Sequence, residues 1–232
     1  MQTTPEPAAP YGQAFALWRG TAIEPWRAYT RHAFVQGLGD GTLPETAFIH
    51  YLKQDYIFLV HFARAWALAV AKADTLDEMK VCAATVNALV NDEMQLHVQT
   101  CLAAGISEDQ LFGAIEETEN LAYTRFVLEA GYSGDFLDLM ATLAPCVLGY
   151  GEIGKHLAKK QDSPTYNDWI ACYSGEEYQQ TCADVGHLID CALTSRLGTD
   201  YTSSPRWATL ARKFETATRL EIGFWDMGLR GR

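Results

Sequence analysis

Residues 134–160 read GDFLDLMATLAPCVLGYGEIGKHLAKK, and their apolar side chains recur every three or four positions. The repeat places one row on a single helical face: Phe136, Leu139, Leu143, Cys146, Tyr150, Ile153 and Leu157. This period of about 3.6 residues is typical of an amphipathic α-helix. Pro145 lies inside the pattern and predicts a local kink, because its ring removes one backbone donor from the helix.

The same period continues on both sides of this segment, without the alternation that indicates strands. We therefore predict an all-α fold of roughly seven to nine helices. The three glycines and the proline of residues 37–44 predict a loop. The predicted helices that matter most span residues 44–72, 76–104 ended by Gly105, 118–130 closed by Gly131, 134–160, 176–193 and a terminal helix after Pro205.

The N-terminal residues 1–10, MQTTPEPAAP, lack the apolar core of a secretory leader and predict a short disordered arm. Residues 11–232 contain no repeat and no Gly/Ser-rich linker, so one compact domain is the simplest interpretation. No run approaches the roughly 18 apolar residues of a membrane span. We expect a protein that does not enter membranes.

Charge and cysteine usage narrow the class of protein further. The net charge of −11 repels polyanions and anionic membrane surfaces, which disfavours nucleic acid as a partner. The six cysteines show neither a Cys-x-x-Cys motif nor zinc-finger spacing. They predict reduced thiols and a cytoplasmic location.

Three acidic residues interrupt apolar rows on long helices: Asp55, Glu93 and Glu221. A carboxylate among apolar neighbours must be hydrogen-bonded, paired, metal-bound or neutralised by a raised pKa. Each one alone is explained by an interhelical hydrogen bond, and Cys146 alone by core packing. Together they predict one pocket in which a thiol works with carboxyl groups.

Glu93 and His97 are four residues apart, a spacing that suits either a metal or an ordinary hydrogen bond. The di-metal bundle pattern requires two Glu-x-x-His motifs and two more carboxylates, and that set is missing here. We therefore predict no metal site. The many aromatic residues near the acidic positions predict a pocket for a flat heterocycle, lined by Tyr51, Phe58, Tyr123, Tyr150, Tyr173 and Phe224.

Six segments carry a family resemblance: 32–44 (HAFVQGLGDGTLP), 51–62 (YLKQDYIFLVHF), 93–97 (EMQLH), 145–150 (PCVLGY), 169–173 (WIACY) and 220–227 (LEIGFWDM). In combination they resemble the TenA-type thiaminase II (aminopyrimidine aminohydrolase) family, TENA/THI-4/PQQC-like. The resemblance implies a heme-oxygenase-like helical bundle that binds no heme and needs no cofactor. It also implies a homotetramer.

The implied activity is hydrolysis of aminomethylpyrimidine, with thiamine as a second expected substrate, to hydroxymethylpyrimidine for thiamine salvage. By motif position, Cys146 resembles the nucleophile that adds to the pyrimidine, and Glu221 the acid/base that protonates a ring nitrogen. Asp55 resembles the carboxylate that binds the pyrimidine amino group. The residues similar to the family's substrate-binding aromatics are Phe58, Tyr123, Tyr150, Tyr173 and Phe224. Glu93 and His97 match a structural motif.

Two departures from the family pattern affect the expected pocket. Small residues at Val147, Leu148, Gly149 and Gly151 replace bulkier ones, which predicts an enlarged or reshaped pocket. Phe58 replaces a tyrosine of some members, which removes one possible hydrogen bond and affects the choice of leaving group. Two alternatives remain: a non-catalytic pyrimidine-binding or regulatory protein, and a metal-dependent oxidase on the same fold.

Overall fold

The computed structural model describes residues 11–160 and 163–231, and within these ranges the regular structure is helical, without strands. The predicted all-α class is therefore confirmed. The predicted arm, residues 1–10, lies outside the described residues. The helices are α1 Gln13–Thr21, α2 Ile23–Thr30, α3 Ala33–Asp40, α4 Glu45–Lys72, α5 Leu76–Ala88, α6 Met94–Ala103, α7 Glu108–Phe112, α8 Thr118–Ser133, α9 Phe136–Ala158, α10 Asn167–Ser174, α11 Glu176–Leu197 and α12 Pro205–Arg230.

Helix α9 is the centre of the bundle and packs against α12, α10, α11 and α8. Nearly all of its residues are buried, not only the predicted face, because neighbours cover every side. Its length and hydropathy would suit a membrane span, but 94% of the apolar window is buried inside the protein. This burial is what a core helix shows. Asp135 caps its first turn by accepting a hydrogen bond from the Asp138 backbone N–H.

The helix count exceeds the prediction because residues 13–40 form three short helices of eight or nine residues. Such segments are shorter than the window in which periodicity can be counted. The predicted loop at 37–44 is wrong in its first half: helix α3 continues to Asp40 and ends at Gly41, whose φ is +76°. Gly37 and Gly39 lie inside the helix at points of close approach, since a Cβ atom on them would lie 3.0 Å from the Leu43 backbone nitrogen and 2.8 Å from Leu157 Cδ2 respectively.

The predicted helix at 76–104 is one continuous rod with a π-helical turn, Leu89–Glu93, between α5 and α6. The turn accommodates one extra residue and rotates the rest of the rod about its axis. The buried face therefore shifts. Cys82 and Leu89 are buried and seven residues apart, but Leu96, which would follow them on the same face of an unbroken α-helix, is only half-buried. The buried positions after the turn are His97, Val98 and Cys101. Gly105 has a φ of +80° just past the helix end, as predicted for the left-handed cap.

Two other predicted helix ends differ from the structure. Helix α8 passes through Gly131 to Ser133, because Gly131 provides room for Leu139 and Leu68 and does not cap the helix. Helix α11 extends four residues beyond the predicted end, to Leu197. Ser107 and Gln110 form a capping box at the start of α7.

Candidate active site

Cys146 lies in the middle of α9, and its side chain reaches a cavity of about 380 Å³. The residue is 8% exposed, so a molecule in the cavity can touch the thiol. The walls come from α9, the end of α5, the π-turn, α10 and the start of α11. The lining residues are Phe62, Thr85, Ala88, Leu89, Asp92, Glu93, Cys146, Val147, Ala171, Cys172, Gly175, Glu176, Glu177, Tyr178 and Thr181.

The Cys146 thiol is held in its neutral form. Burial raises its pKa well above the ordinary value, and the negative charges of Glu221, Glu93 and Asp55 raise the pKa further. A position inside the helix also lacks the N-terminal dipole that activates many thiols. The thiol must therefore transfer its proton to a neighbouring group when it attacks.

Glu221, on α12, is 2% exposed and accepts a hydrogen bond of 2.9 Å at Oε1 from the Tyr123 hydroxyl on α8. Burial raises the pKa of Glu221 to about 8, although the Tyr123 hydrogen bond acts in the opposite direction. The carboxyl group is therefore mostly protonated at neutral pH. A protonated carboxyl at this position can donate a proton to a ring nitrogen.

Asp55 belongs to a buried network that joins α4 to α6 and α10. Its Oδ2 accepts a 3.0 Å hydrogen bond from the Tyr51 hydroxyl and contacts Nε2 of His97 at 2.6 Å. The Tyr51 hydroxyl also lies 3.5 Å from that of Tyr150 and accepts from Trp169 Nε1 at 3.4 Å. Asp55 thus has the interhelical partners that would explain its burial, and its charge also acts on the Cys146 thiol.

His97 links this network to the π-turn. Its Nδ1 lies 2.8 Å from the backbone carbonyl of Glu93, while its Nε2 contacts Asp55. Burial lowers the pKa of His97, but the hydrogen bond and negative charge of Asp55 outweigh it and leave the pKa raised. Both ring nitrogens are engaged. Within residues 11–160 and 163–231, no group of three or more His, Cys, Asp or Glu side chains could hold a metal ion.

Glu93 lies in the π-turn, and its side chain lines the same cavity as Cys146. Its Oε1 accepts a 2.6 Å hydrogen bond from the Tyr173 hydroxyl. Burial raises the pKa of Glu93 to about 7; His97 and the Tyr173 hydrogen bond act against this increase, and Asp55 adds to it. The family motif predicted a structural residue here. The interrupted apolar row was the signal that a second carboxyl group faces the cavity.

Aromatic rings fill the space between these groups. Phe58 packs against Tyr123 at 5.0 Å and edge-on against Phe224 at 5.4 Å, measured between ring centroids. Tyr150 and Tyr173 form an edge-on pair at 4.9 Å. The predicted aromatic residues therefore form two groups. Phe58, Tyr123 and Phe224 lie near Glu221, and Tyr150 and Tyr173 lie near Glu93.

Of the eight predicted site residues, only Cys146 lines the open cavity. The other seven are at most 4% exposed and lie behind its wall: Asp55, Phe58, Tyr123, Tyr150, Tyr173, Glu221 and Phe224. Cys146 lines the cavity together with Glu93, which is hydrogen-bonded to Tyr173 of the buried network. Sequence reasoning missed Tyr178, which lines the cavity and donates to the Val147 carbonyl at 3.3 Å, and Tyr29, which donates to the Pro145 carbonyl at 3.3 Å.

Two of the four small residues around the thiol, Gly149 and Gly151, do not enlarge the pocket, whereas Val147 lines the cavity and its effect on the pocket stays a prediction. A Cβ atom on Gly149 would lie 2.3 Å from the Tyr29 ring, and one on Gly151 would lie 2.5 Å from Cys182 Sγ. Neighbouring side chains already occupy the vacated space. The two glycines let adjacent helices pack closely against α9.

Known proteins resemble this chain over most of its length. The model of the TENA/THI-4/PQQC family matches residues 21–231. An aminopyrimidine aminohydrolase from Halalkalibacterium halodurans is 35% identical over 210 residues, which cover 89% of this chain and 91% of that protein. A crystal structure from Silicibacter sp. TM1040, named a TenA family transcription regulator, is 62% identical with a TM-score of 0.94, covering 95% of this chain and 98% of that one.

The fold is also shared with a more distant protein. A domain with a heme oxygenase-like fold from Shewanella denitrificans covers 93% of this chain and 92% of its own, with a TM-score of 0.70 at 11% identity. At that identity the likeness concerns the fold alone. The predicted heme-oxygenase-like bundle is thereby confirmed.

Proposed function

The chain belongs to the TENA/THI-4/PQQC family, and from that premise we propose that it hydrolyses aminomethylpyrimidine, and also thiamine, to hydroxymethylpyrimidine. The relative named aminopyrimidine aminohydrolase supports this reaction class. The observation that carries the proposal is the position of Cys146, at the end of a cavity and among three carboxyl groups that influence its thiol.

The proposed reaction begins with addition of the thiol across a C=N bond of the pyrimidine. Cys146 Sγ bonds to the ring carbon, while Glu221 gives its proton to the ring nitrogen and regains one from the thiol. The ring electrons then expel the leaving group from the methylene carbon and form an exocyclic double bond. Water adds to that carbon, the C–S bond breaks, and the aromatic ring and thiol are restored.

Substrate binding in this proposal uses the buried network behind the thiol. Asp55 accepts a hydrogen bond from the exocyclic amino group of the pyrimidine. The ring inserts between Phe58 and Phe224, whose centroids lie 5.4 Å apart, so these side chains must separate to admit it. Tyr123, Tyr150 and Tyr173 then fix the orientation of the ring and of the carboxyl groups.

The test is product analysis with Cys146→Ser beside the wild type, using aminomethylpyrimidine and thiamine separately. We expect hydroxymethylpyrimidine from the wild type and none from Cys146→Ser. Cys191→Ser is the matched control, because Cys191 is an exposed cysteine on α11 and outside the cavity lining. Turnover by Cys146→Ser at the wild-type rate would refute the covalent step.

A second candidate function is that of a regulatory protein that binds a pyrimidine without converting it. The name of the similar crystal structure, a TenA family transcription regulator, supports a regulatory role. Tight binding of the pyrimidine with no product after long incubation would favour it. The third alternative, a metal-dependent oxidase, would require His97 to release one of its two hydrogen bonds to become a ligand. Stoichiometric iron or manganese in the purified active protein would support it.

We further propose a homotetramer in the cytoplasm, on the basis of the family resemblance and the absence of disulfides among the six cysteines, which all lie in the described ranges. Light scattering on the purified protein measures the mass directly. A mass of four chains supports the tetramer, and any other mass refutes it.

A further inference from the structure

Two carboxyl groups that act electrostatically on Cys146 lie in different surroundings. Glu221 belongs to the buried aromatic cluster, held by Tyr123, whereas Glu93 lines the open cavity with the thiol. In the proposed binding mode the pyrimidine ring lies between Phe58 and Phe224 with a ring nitrogen at Glu221, and its substituent would extend past Cys146 into the cavity, through which the leaving group would depart. Glu93 is therefore on the side of the ring from which the leaving group departs.

Glu93 is prepared for proton transfer by its surroundings. Tyr173 on α10 fixes Oε1, while Oε2 has no hydrogen-bond partner among residues 11–160 and 163–231 and is available to a ligand. The charged groups facing it are Asp55 of α4 and His97 of α6. The surrounding cavity wall adds further titratable groups: Asp92, Cys146, Cys172, Glu176, Glu177 and Tyr178. Among the described residues, no lysine or arginine lines this cavity, so none of them opposes protonation of Glu93 as a fixed cation.

We propose that Glu93 is the acid that protonates the departing amine of an aminomethylpyrimidine. This inference rests on the proposed function and assigns the second proton transfer of the reaction. The two substrates differ in their need for this acid. An amine must gain a proton to leave as ammonia, whereas the thiazolium of thiamine leaves as a neutral thiazole without gaining one.

The step balances in protons and electrons. Neutral Glu93 gives its proton to the amine nitrogen, the C–N bond breaks, and ammonia leaves with the bonding electron pair. The Glu93 carboxylate then takes a proton from the water that adds to the methylene carbon. The sum is amine plus water giving alcohol plus ammonia, with Glu93 unchanged.

The experiment measures release of the leaving group in a single turnover, before water addition can limit the rate. Glu93→Gln keeps an oxygen that can accept the Tyr173 hydrogen bond but cannot donate an acidic proton. We expect release of ammonia from aminomethylpyrimidine to slow at least ~100-fold, as for loss of a positioned acid. Release of thiazole from thiamine should slow far less, and Glu93→Asp should recover part of the ammonia release.

Glu215→Gln is the matched control, because it makes the same change at a surface residue of α12 that pairs with Arg219 and does not line the cavity. Its ratio of ammonia to thiazole release should equal that of the wild type. An equal loss on both substrates, or no loss on either, in Glu93→Gln would overturn the role of Glu93. Failure of the wild type to release either leaving group would instead overturn the proposed function itself.

Discussion

Cys146 and Glu221 are two ionisable residues that the protein keeps neutral, because burial penalises the charged form of each. A neutral thiol is a weak nucleophile, but a neutral carboxyl group is a good acid. In the proposed reaction this combination defers charge formation until a substrate ring is present. The electrophile is activated by Glu221 at the moment when the thiol loses its proton.

Replacing Glu221 by glutamine removes the acid and keeps the shape of the side chain. We expect kcat to fall by about 10²–10⁴-fold, the usual contribution of a positioned general acid. Assays of hydroxymethylpyrimidine formation give the number. Glu215→Gln is the control: Glu215 is on the same helix, pairs with Arg219 at the surface and should retain wild-type kcat. A kcat for Glu221→Gln equal to that of the control contradicts the assigned role.

Tyr123→Phe tests the pKa of Glu221 separately. The Tyr123 hydroxyl stabilises the carboxylate form, so it holds the pKa of Glu221 below the value that burial alone would give. Removing it should raise that pKa above about 8. Activity that depends on protonated Glu221 should then persist to higher pH, which a profile of kcat/KM against pH will detect. Tyr132→Phe, at a residue 72% exposed, should leave the profile unchanged. A shift to lower pH would contradict the argument.

At the scale of single residues, the sequence predicted the candidate site residues better than it predicted their hydrogen-bond partners. Asp55, Glu93 and Glu221 could be predicted because each breaks an apolar row, which is physically costly and therefore informative. The hydrogen bonds from Tyr123 to Glu221 and from Tyr173 to Glu93 could not, since each joins helices far apart in the chain. The periodicity of a sequence indicates which face of its helix a residue occupies, but it does not indicate which other helix that face contacts.

The π-turn at Leu89–Glu93 is the element on which the site geometry depends. It rotates the next helix, α6, so that His97 meets Asp55, and it places Glu93 at the cavity wall. Single-sequence periodicity predicted one uninterrupted α-helix there, because one extra residue in a turn leaves too little change in pattern to detect. The shift of the buried face to Val98 and Cys101 is its visible consequence.

Deleting Val90, an exposed residue of this turn, should convert it to α-helix and rotate the two halves by roughly 100° relative to each other. His97 would then leave Asp55, and separating a buried pair typically costs about 3–5 kcal/mol. Denaturant unfolding measures the loss. Val90→Ala keeps the residue count and should lie within about 0.5 kcal/mol of the wild type, as expected of a surface substitution. Equal stability of the two variants would argue against a role for the extra residue.

For the molecule as a whole, α9 serves as both core and active-site wall. Its apolar sequence predicted a buried helix, and that prediction is confirmed. Its glycines were interpreted as missing bulk, whereas they are points of close approach: Gly149 to Tyr29, Gly151 to Tyr11 and Cys182. Sequence alone does not distinguish an empty space from one filled by a distant part of the chain.

Gly154 gives the sharpest test of this packing, because a Cβ there would lie 2.5 Å from the backbone carbonyl carbon of Tyr173. Backbone atoms of α10 cannot move aside as a flexible side chain can. We expect Gly154→Ala to lower the free energy of unfolding by about 1–3 kcal/mol, the usual cost of overpacking. For a chain of this size Tm should fall by about 2–4 °C for each kcal/mol lost.

Gly20→Ala is the matched substitution, in α1 and at the surface, where an added Cβ meets nothing within 4 Å. It should raise the free energy of unfolding by up to about 1 kcal/mol, because alanine favours the helix over glycine. Thermal melts of the two variants beside the wild type should therefore move in opposite directions. A Gly154→Ala protein as stable as Gly20→Ala would show that α10 is free to withdraw from α9, and that the position of Tyr173 is not fixed by the bundle.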